Sequence, residues 1–185
     1  MDFVKNDMIF EIISGCKKHN PNAQQRLYEI YAKRMTALCQ RYCNDYETAR
    51  DLMHDGFIRV FESIETYDGK GIFDAWFKKI FVNGCIDNLR RNDALKMQIE
   101  IETLENYVAD TQPDFTEKDD IKQIMNAIAQ LPNIARTIFN MHNIDGYSLD
   151  EIAQKLNMTA TAVRSQHSRA KQRLQGMLKE LGVRR

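Results

Sequence analysis

The stretch SLDEIAQKLNMTATAVRSQHSRAKQRL, residues 148–174, gathers basic and hydroxyl side chains where acid is missing: after Glu151 the next carboxylate is Glu180. Arg164, Ser165, Ser168, Arg169 and Gln172 recur at helical spacing on the face opposite Val163 and Ala170, with Lys171 beside them. An arginine guanidinium bonds a guanine edge through two parallel N–H groups or holds a phosphate, and serine adapts to either. A helix in the major groove runs between two phosphate rows, where a carboxylate would be repelled. The chemistry on offer is recognition of duplex DNA.

A second group lies in FDAWFKKIFVN, residues 73–83, where aromatic and basic side chains stand together. Basic residues can follow a nucleic-acid backbone, and aromatic faces can hold unpaired bases. Lys78, Lys79 and Asn83 are the residues here expected to meet DNA; Phe73, Trp76, Phe77 and Phe81 are expected mainly as core. The chain has no glycine-rich phosphate loop, no nucleophile motif and no carboxylate cluster with metal spacing in a folded segment. No enzymatic activity, cofactor or small-molecule substrate is therefore expected. Cys16, Cys39, Cys43 and Cys85 are scattered, and the one close pair, Cys39/Cys43, fits no zinc template. These cysteines are expected to pack as buried thiols, with no bound metal. His54, His142 and His167 have no catalytic partners nearby in sequence, so hydrogen-bonded, partly buried roles are expected.

The elements that must position these side chains are helical throughout. Ser148 and Glu151 form a capping box, in which the hydroxyl and the carboxylate each bond the other residue's backbone N–H. Leu149, Ile152, Ala153 and Leu156 give a short helix its buried stripe, and Asn157 stands where a tight turn needs positive φ. Thr159 or Thr161 caps the next helix, whose inner face is Val163, Ala170, Leu174 and Leu178. This is a helix-turn-helix with residues 160–175 as recognition helix. Apolar periodicity predicts further helices over 7–18, 21–43, 47–65, 72–91, 119–130 and 133–143, with Pro132 opening the last. No segment alternates as a strand, so the fold is expected to be all-α.

A hydrophobic content of 43% with 28% charged residues is that of a soluble globular protein. The net charge of zero conceals a partition: +1 over residues 1–91, −7 over 92–120 and +6 over 121–185. This predicts two small helical domains, 1–91 and 119–185, joined by an acidic flexible linker over 92–118, with a polyanion partner for the second domain. No apolar run approaches a membrane span and the amino terminus is not a secretory signal, so a cytoplasmic location is expected.

TARDLMHDGFIRVFESIETYDGKGIFDAWFKKIFVNGCIDNLRR (48–91) resembles region 2 of the bacterial sigma factors, and LPNIARTIFNMHNIDGYSLDEIAQKLNMTATAVRSQHSRAKQRL (131–174) resembles their region 4. Two such regions alone, joined by a short linker, are the pattern of the extracytoplasmic-function (ECF) group. The resemblance implies that Asp51, Leu52, His54, Asp55 and Phe57 lie on the helix that grips the β′ clamp helices of core RNA polymerase. The group usually has glutamine and glutamate where His54 and Asp55 stand. It implies that the loop from Tyr67 to Gly71, with Asp68 and Lys70, captures an unpaired base of the −10 element. The next helix would read and melt that element through Trp76, Lys78, Lys79, Asn83, Asp87, Arg90 and Arg91. Arg164, Ser165, Ser168, Arg169, Lys171 and Gln172 would read the −35 element. Gln166 and His167 depart from the basic and apolar residues common in the group at those positions.

The resemblance further implies promoter DNA and core polymerase as partners, the latter through its β′ clamp helices and β flap, and an anti-sigma factor, commonly a membrane-bound one. Glu100, Glu102, Glu105 and Asp110 would let the acidic linker thread the polymerase's basic interior. Two other function classes stand beside this one. The carboxy-terminal third also resembles the DNA-binding end of LuxR-type dimeric regulators, which would make residues 1–91 a sensor or dimerisation module. A DNA-processing enzyme would need metal-binding carboxylates or a nucleophilic serine or tyrosine.

Overall fold

The computed structural model describes residues 2–43, 45–99 and 119–180. Along the chain run α1 (Asp2–Lys17), α2 (Pro21–Gln40), α3 (Tyr46–Ser63) and a 3-10 turn (Ile64–Thr66), then α4 (Phe73–Ile99) and α5 (Asp119–Ala129). These are followed by α6 (Asn133–Phe139), a π-helical segment (Asn140–Ile144), α7 (Leu149–Leu156) and α8 (Ala160–Glu180). There is no strand among the described residues, so the all-α expectation is borne out. No helix among them is long and apolar enough to cross a membrane. The helix expected over 72–91 continues to Ile99, since nothing after Arg91 breaks it: that stretch holds neither proline nor glycine. The helix expected over 133–143 widens into a π turn after Phe139, and Pro132 sits at its N-cap rather than inside its first turn. Residues 92–99, expected as the start of a flexible acidic linker over 92–118, are thus helical, a correction to that boundary; the rest of the expected linker, with Glu100, Glu102, Glu105 and Asp110, falls on residues outside the described ones.

Two compact units can be distinguished, Met1–Cys39 with Glu47–Gly84, and Gln40–Tyr46 with Cys85–Arg185. The first is built on an aromatic core. Phe77 is fully buried, with ring centroids 4.6 Å from Tyr31, 5.4 Å from Phe73, 5.7 Å from Phe57 and 5.0 Å from Phe81. Such tilted and edge-on pairs add to the burial of large apolar area. Gly56 sits in the middle of α3, where glycine weakens a helix. Its place is explained by Phe81: a Cβ there would come within 2.4 Å of that ring. Met35, Leu27, Val60 and Ile64 complete the core. Ile30 of α2, although close to the buried Leu27 and Tyr31 in sequence, is 48% exposed.

In the second unit α5, α6 and α8 close around Ala127, Ile128, Leu131, Ala135, Ala170 and Leu174. Ile152 and Ala153 of α7 and Val163 of α8 are buried, which seats the helix-turn-helix on this core. The predicted local chemistry is present. The Ser148 hydroxyl accepts from Glu151 N at 3.2 Å, and Ser148 N donates to Glu151 Oε2 at 2.8 Å. Asn157 takes φ 52°, and the Thr159 hydroxyl caps α8 by accepting from Ala162 N. A buried polar network holds the turn after α2 in this unit. Arg136, only 3% exposed, donates to Ala129 O and Tyr42 O, and Asn140 Nδ2 donates to Arg41 O at 2.6 Å. Tyr42 OH donates to the Asp145 carboxylate, which also pairs with Arg41 at 3.3 Å. Burial, with Asp145 beside it, pushes the Tyr42 phenol far above its usual range.

Candidate nucleic-acid interface

The side chains expected to read duplex DNA share one face. Arg164, Ser165, Ser168, Arg169, Lys171 and Gln172 of α8 are all exposed, while Val163 and Ala170 behind them are buried. Arg164 does not stand alone: its Nη2 donates to Asp150 Oδ1 of α7 at 2.8 Å. Nothing in the short-range pattern pointed to Asp150, because the two residues meet across the turn.

His167 is half-buried and hydrogen-bonded, as expected, its Nε2 donating to Asn143 Oδ1 at 2.8 Å. His142, whose Nδ1 donates to Tyr147 O, meets it edge-on with centroids 4.7 Å apart. Burial lowers the His167 pKa from its ordinary 6.5, and neighbouring His142 and Lys171 lower it further. A histidine that protonates less readily folded than unfolded stabilises above pH 6.5, and that contribution is lost as pH falls through the lower folded value. His167→Gln should therefore flatten the fall in melting temperature between pH 7.5 and pH 5.5. An unchanged slope would rule out this source of acid sensitivity.

The loop before α4 has the geometry to expose polar groups at a fixed place. Gly69 and Gly71 take φ of 79° and 83°, conformations open to glycine, and Asp68 Oδ1 accepts from Lys70 N at 2.9 Å. Asp68 and Lys70 are exposed. Tyr67 is not: it is 5% exposed, donates to Gly71 O at 3.0 Å and has its own carbonyl held by Lys17 Nζ. It staples the loop and is not placed to touch a base, a correction to its expected role. Trp76 is half-buried, 5.4 Å from the Tyr67 ring and 5.7 Å from the Phe73 ring. Of the polar residues expected on α4, Lys79, Arg90 and Arg91 are exposed, and Lys78, Asn83 and Asp87 half-buried. Asp74 anchors the start of this helix, accepting from Tyr31 OH at 2.5 Å and Arg34 Nη1 at 2.7 Å. Burial alone would raise the Asp74 pKa; the hydrogen bonds from Tyr31 and Arg34 outweigh it and hold the carboxyl below its ordinary value.

On α3, Asp51, His54 and Asp55 are exposed on one face, with Leu52 half-buried beside them. Phe57, expected on that face, is 3% exposed and meets Phe77 and Phe81 edge-on in the aromatic core, so it supports the surface from behind. Ile58 takes its place: at 56% exposure it continues the face at the 51, 54/55, 58 spacing, a signal legible in the sequence but not singled out there. In the second unit, Ile124, Ile128, Phe139, Leu174 and Leu178 line an apolar groove of about 220 Å³, with Lys171 on its rim. Cys16, Cys39 and Cys85 are buried and Cys43 half-buried, all as free thiols.

Comparison with known proteins agrees with both blocks. Residues 27–95 match the family described as Sigma-70 region 2, and residues 121–174 match Sigma-70 region 4, in that order. The ECF RNA polymerase sigma factor SigW of Bacillus subtilis is 27% identical over 184 residues, 94% of this chain and 98% of that protein. SigE of Mycolicibacterium smegmatis, another ECF sigma factor, is 30% identical over 155 residues, 82% of this chain and 60% of its own length. The fold is shared with sigma factor RpoE of Bartonella quintana, solved in complex with the anti-sigma factor NepR. That match has a TM-score of 0.57 and 19% identity, covering 87% of this chain and 98% of the other. With region 2 and region 4 in sequence, and relatives of this kind aligned along nearly its full length, the chain belongs to the ECF family of RNA polymerase sigma factors.

Proposed function

We infer that each surface has a separate task in promoter-specific initiation. The observation that carries this is the exposed, acid-free face of α8 in a chain that also matches region 2. On this reading residues 119–185 place Arg164, Ser165, Ser168, Arg169, Lys171 and Gln172 in the major groove of the −35 element. Residues 1–91 hold the −10 element through Asp68, Lys70 and the exposed basic residues of α4, with the aromatic neighbours of Trp76 giving the loop a rigid base. Asp51, His54, Asp55 and Ile58 of α3 grip the polymerase clamp, and the apolar groove between α5 and α8 suits a hydrophobic segment of the β flap.

The protein contributes sequence choice and stabilises the opened strand in the cytoplasm, and the polymerase supplies the catalysis. An anti-sigma partner belongs to the same reading, since the similar RpoE of Bartonella quintana was solved in complex with the anti-sigma factor NepR. The region 2 match weighs against the dimeric regulator, since it falls on the residues that reading would give to a sensor or dimerisation module.

The test is reconstitution with purified core polymerase. Asp51→Ala/Asp55→Ala should weaken binding to core enzyme about tenfold or more, each exposed charge contact at an interface contributing on the order of 1 kcal/mol. The melting curve should stay unchanged, because both residues are exposed. Undiminished binding would place the polymerase contact elsewhere.

A further inference from the structure

Of the two carboxylates in the first turn of α7, where negative charge favours the helix's positive end, Glu151 also closes the capping box. Asp150 reaches off α7 and accepts a hydrogen bond from Arg164 Nη2 at 2.8 Å, tying the supporting helix to the recognition helix. The pair lies in the open, with side-chain exposures of 55% for Arg164 and 68% for Asp150. Ion pairs this exposed add little to stability. A carboxylate this close to the DNA-facing side also opposes the phosphate backbone. A first-turn carboxylate stabilises its helix wherever the side chain points, so neither this nor general DNA affinity accounts for its aim at Arg164.

We propose that Asp150 is a positioning residue that sets base discrimination by Arg164, an inference that rests on α8 reading the −35 element. The guanidinium is a planar fork with five N–H donors. One Nη2–H directed at Asp150 leaves parallel donors free for the O6 and N7 acceptors of a guanine. Holding the fork beforehand removes rotamer freedom that would otherwise be lost on binding. It also keeps the same cation from swinging to a phosphate, where it would add affinity without sequence information. Asp150 thus lowers binding to DNA in general while sharpening the choice at one base pair.

The experiment uses the full chain in complex with core polymerase, on a promoter it transcribes, with each −35 base pair changed in turn. Asp150→Asn should reduce the preference at one base pair by about threefold to tenfold. That position should be the one where Arg164→Ala erases the preference, and the other positions should not change. Binding to DNA lacking a −35 element should hold steady or rise. Asp150→Glu should recover part of the preference, and Asp150→Asn/Arg164→Ala should be no worse than Arg164→Ala alone. If Asp150→Asn changes no preference, or weakens all positions equally, while Arg164→Ala acts at one, the role of Asp150 is overturned and the −35 assignment stands. If Arg164→Ala itself leaves every preference intact, the −35 assignment fails and takes this proposal with it.

Discussion

Replacing Arg164 and Arg169 together by alanine should cut −35-dependent transcription by at least about thirtyfold, since each two-bonded arginine–guanine contact contributes about 1–3 kcal/mol. Both side chains are exposed on α8 and neither supports the core beneath, where Val163 and Ala170 are buried. The thermal midpoint should therefore move little. Because the two arginines share one helix face, their single effects need not add, and the four-member mutant cycle would measure the coupling. The loss should be confined to promoters that depend on a −35 element. A variant that transcribes such promoters at wild-type rates would remove α8 from DNA reading.

Phe77→Ala carries the largest expected loss of stability. The ring is fully buried among Tyr31, Phe57, Phe73 and Phe81, the same rings that fix α3 and α4 against each other. Phenylalanine-to-alanine changes in such cores cost about 3–5 kcal/mol, because the cavity left behind closes only in part. For a unit of this size the midpoint should fall on the order of 15 °C. Circular dichroism would record it, and core-polymerase binding at 37 °C should fall in parallel because α3 carries the clamp face. Phe77→Leu should retain most of the stability. A small change for alanine would mean that the aromatic core is not what holds this unit together.

How far the sequence discloses the molecule depends on the range of the interaction. The capping box at Ser148 and Glu151, the left-handed Asn157 and the Thr159 cap are local chemistry, and each is found where the residues call for it. The acid-free face of α8 is legible for the same reason: helical spacing alone sorts Arg164 and Arg169 from Val163 and Ala170. Tyr67 shows the limit: it stands in a loop beside exposed residues, and only its contacts with Gly71 and Lys17 turn it inward. The π turn at 140–144, with Asn140 and Met141 buried in it, is equally hidden, since those five residues include neither proline nor glycine. The pairing of Arg164 with Asp150 at the site, and of Asp145 with Arg41 and Tyr42 beneath the turn after α2, joins residues on different elements. No spacing rule reaches them.

Run-off transcription with purified bacterial core RNA polymerase, with and without this protein, on DNA from its own genome, tests the central claim most directly. The sigma-factor assignment predicts new discrete transcripts that require the protein. They should vanish with Arg164→Ala/Arg169→Ala and, separately, with Asp51→Ala/Asp55→Ala. No new transcripts, together with stable symmetric binding of the protein alone to duplex DNA, would contradict it and point to a dimeric regulator.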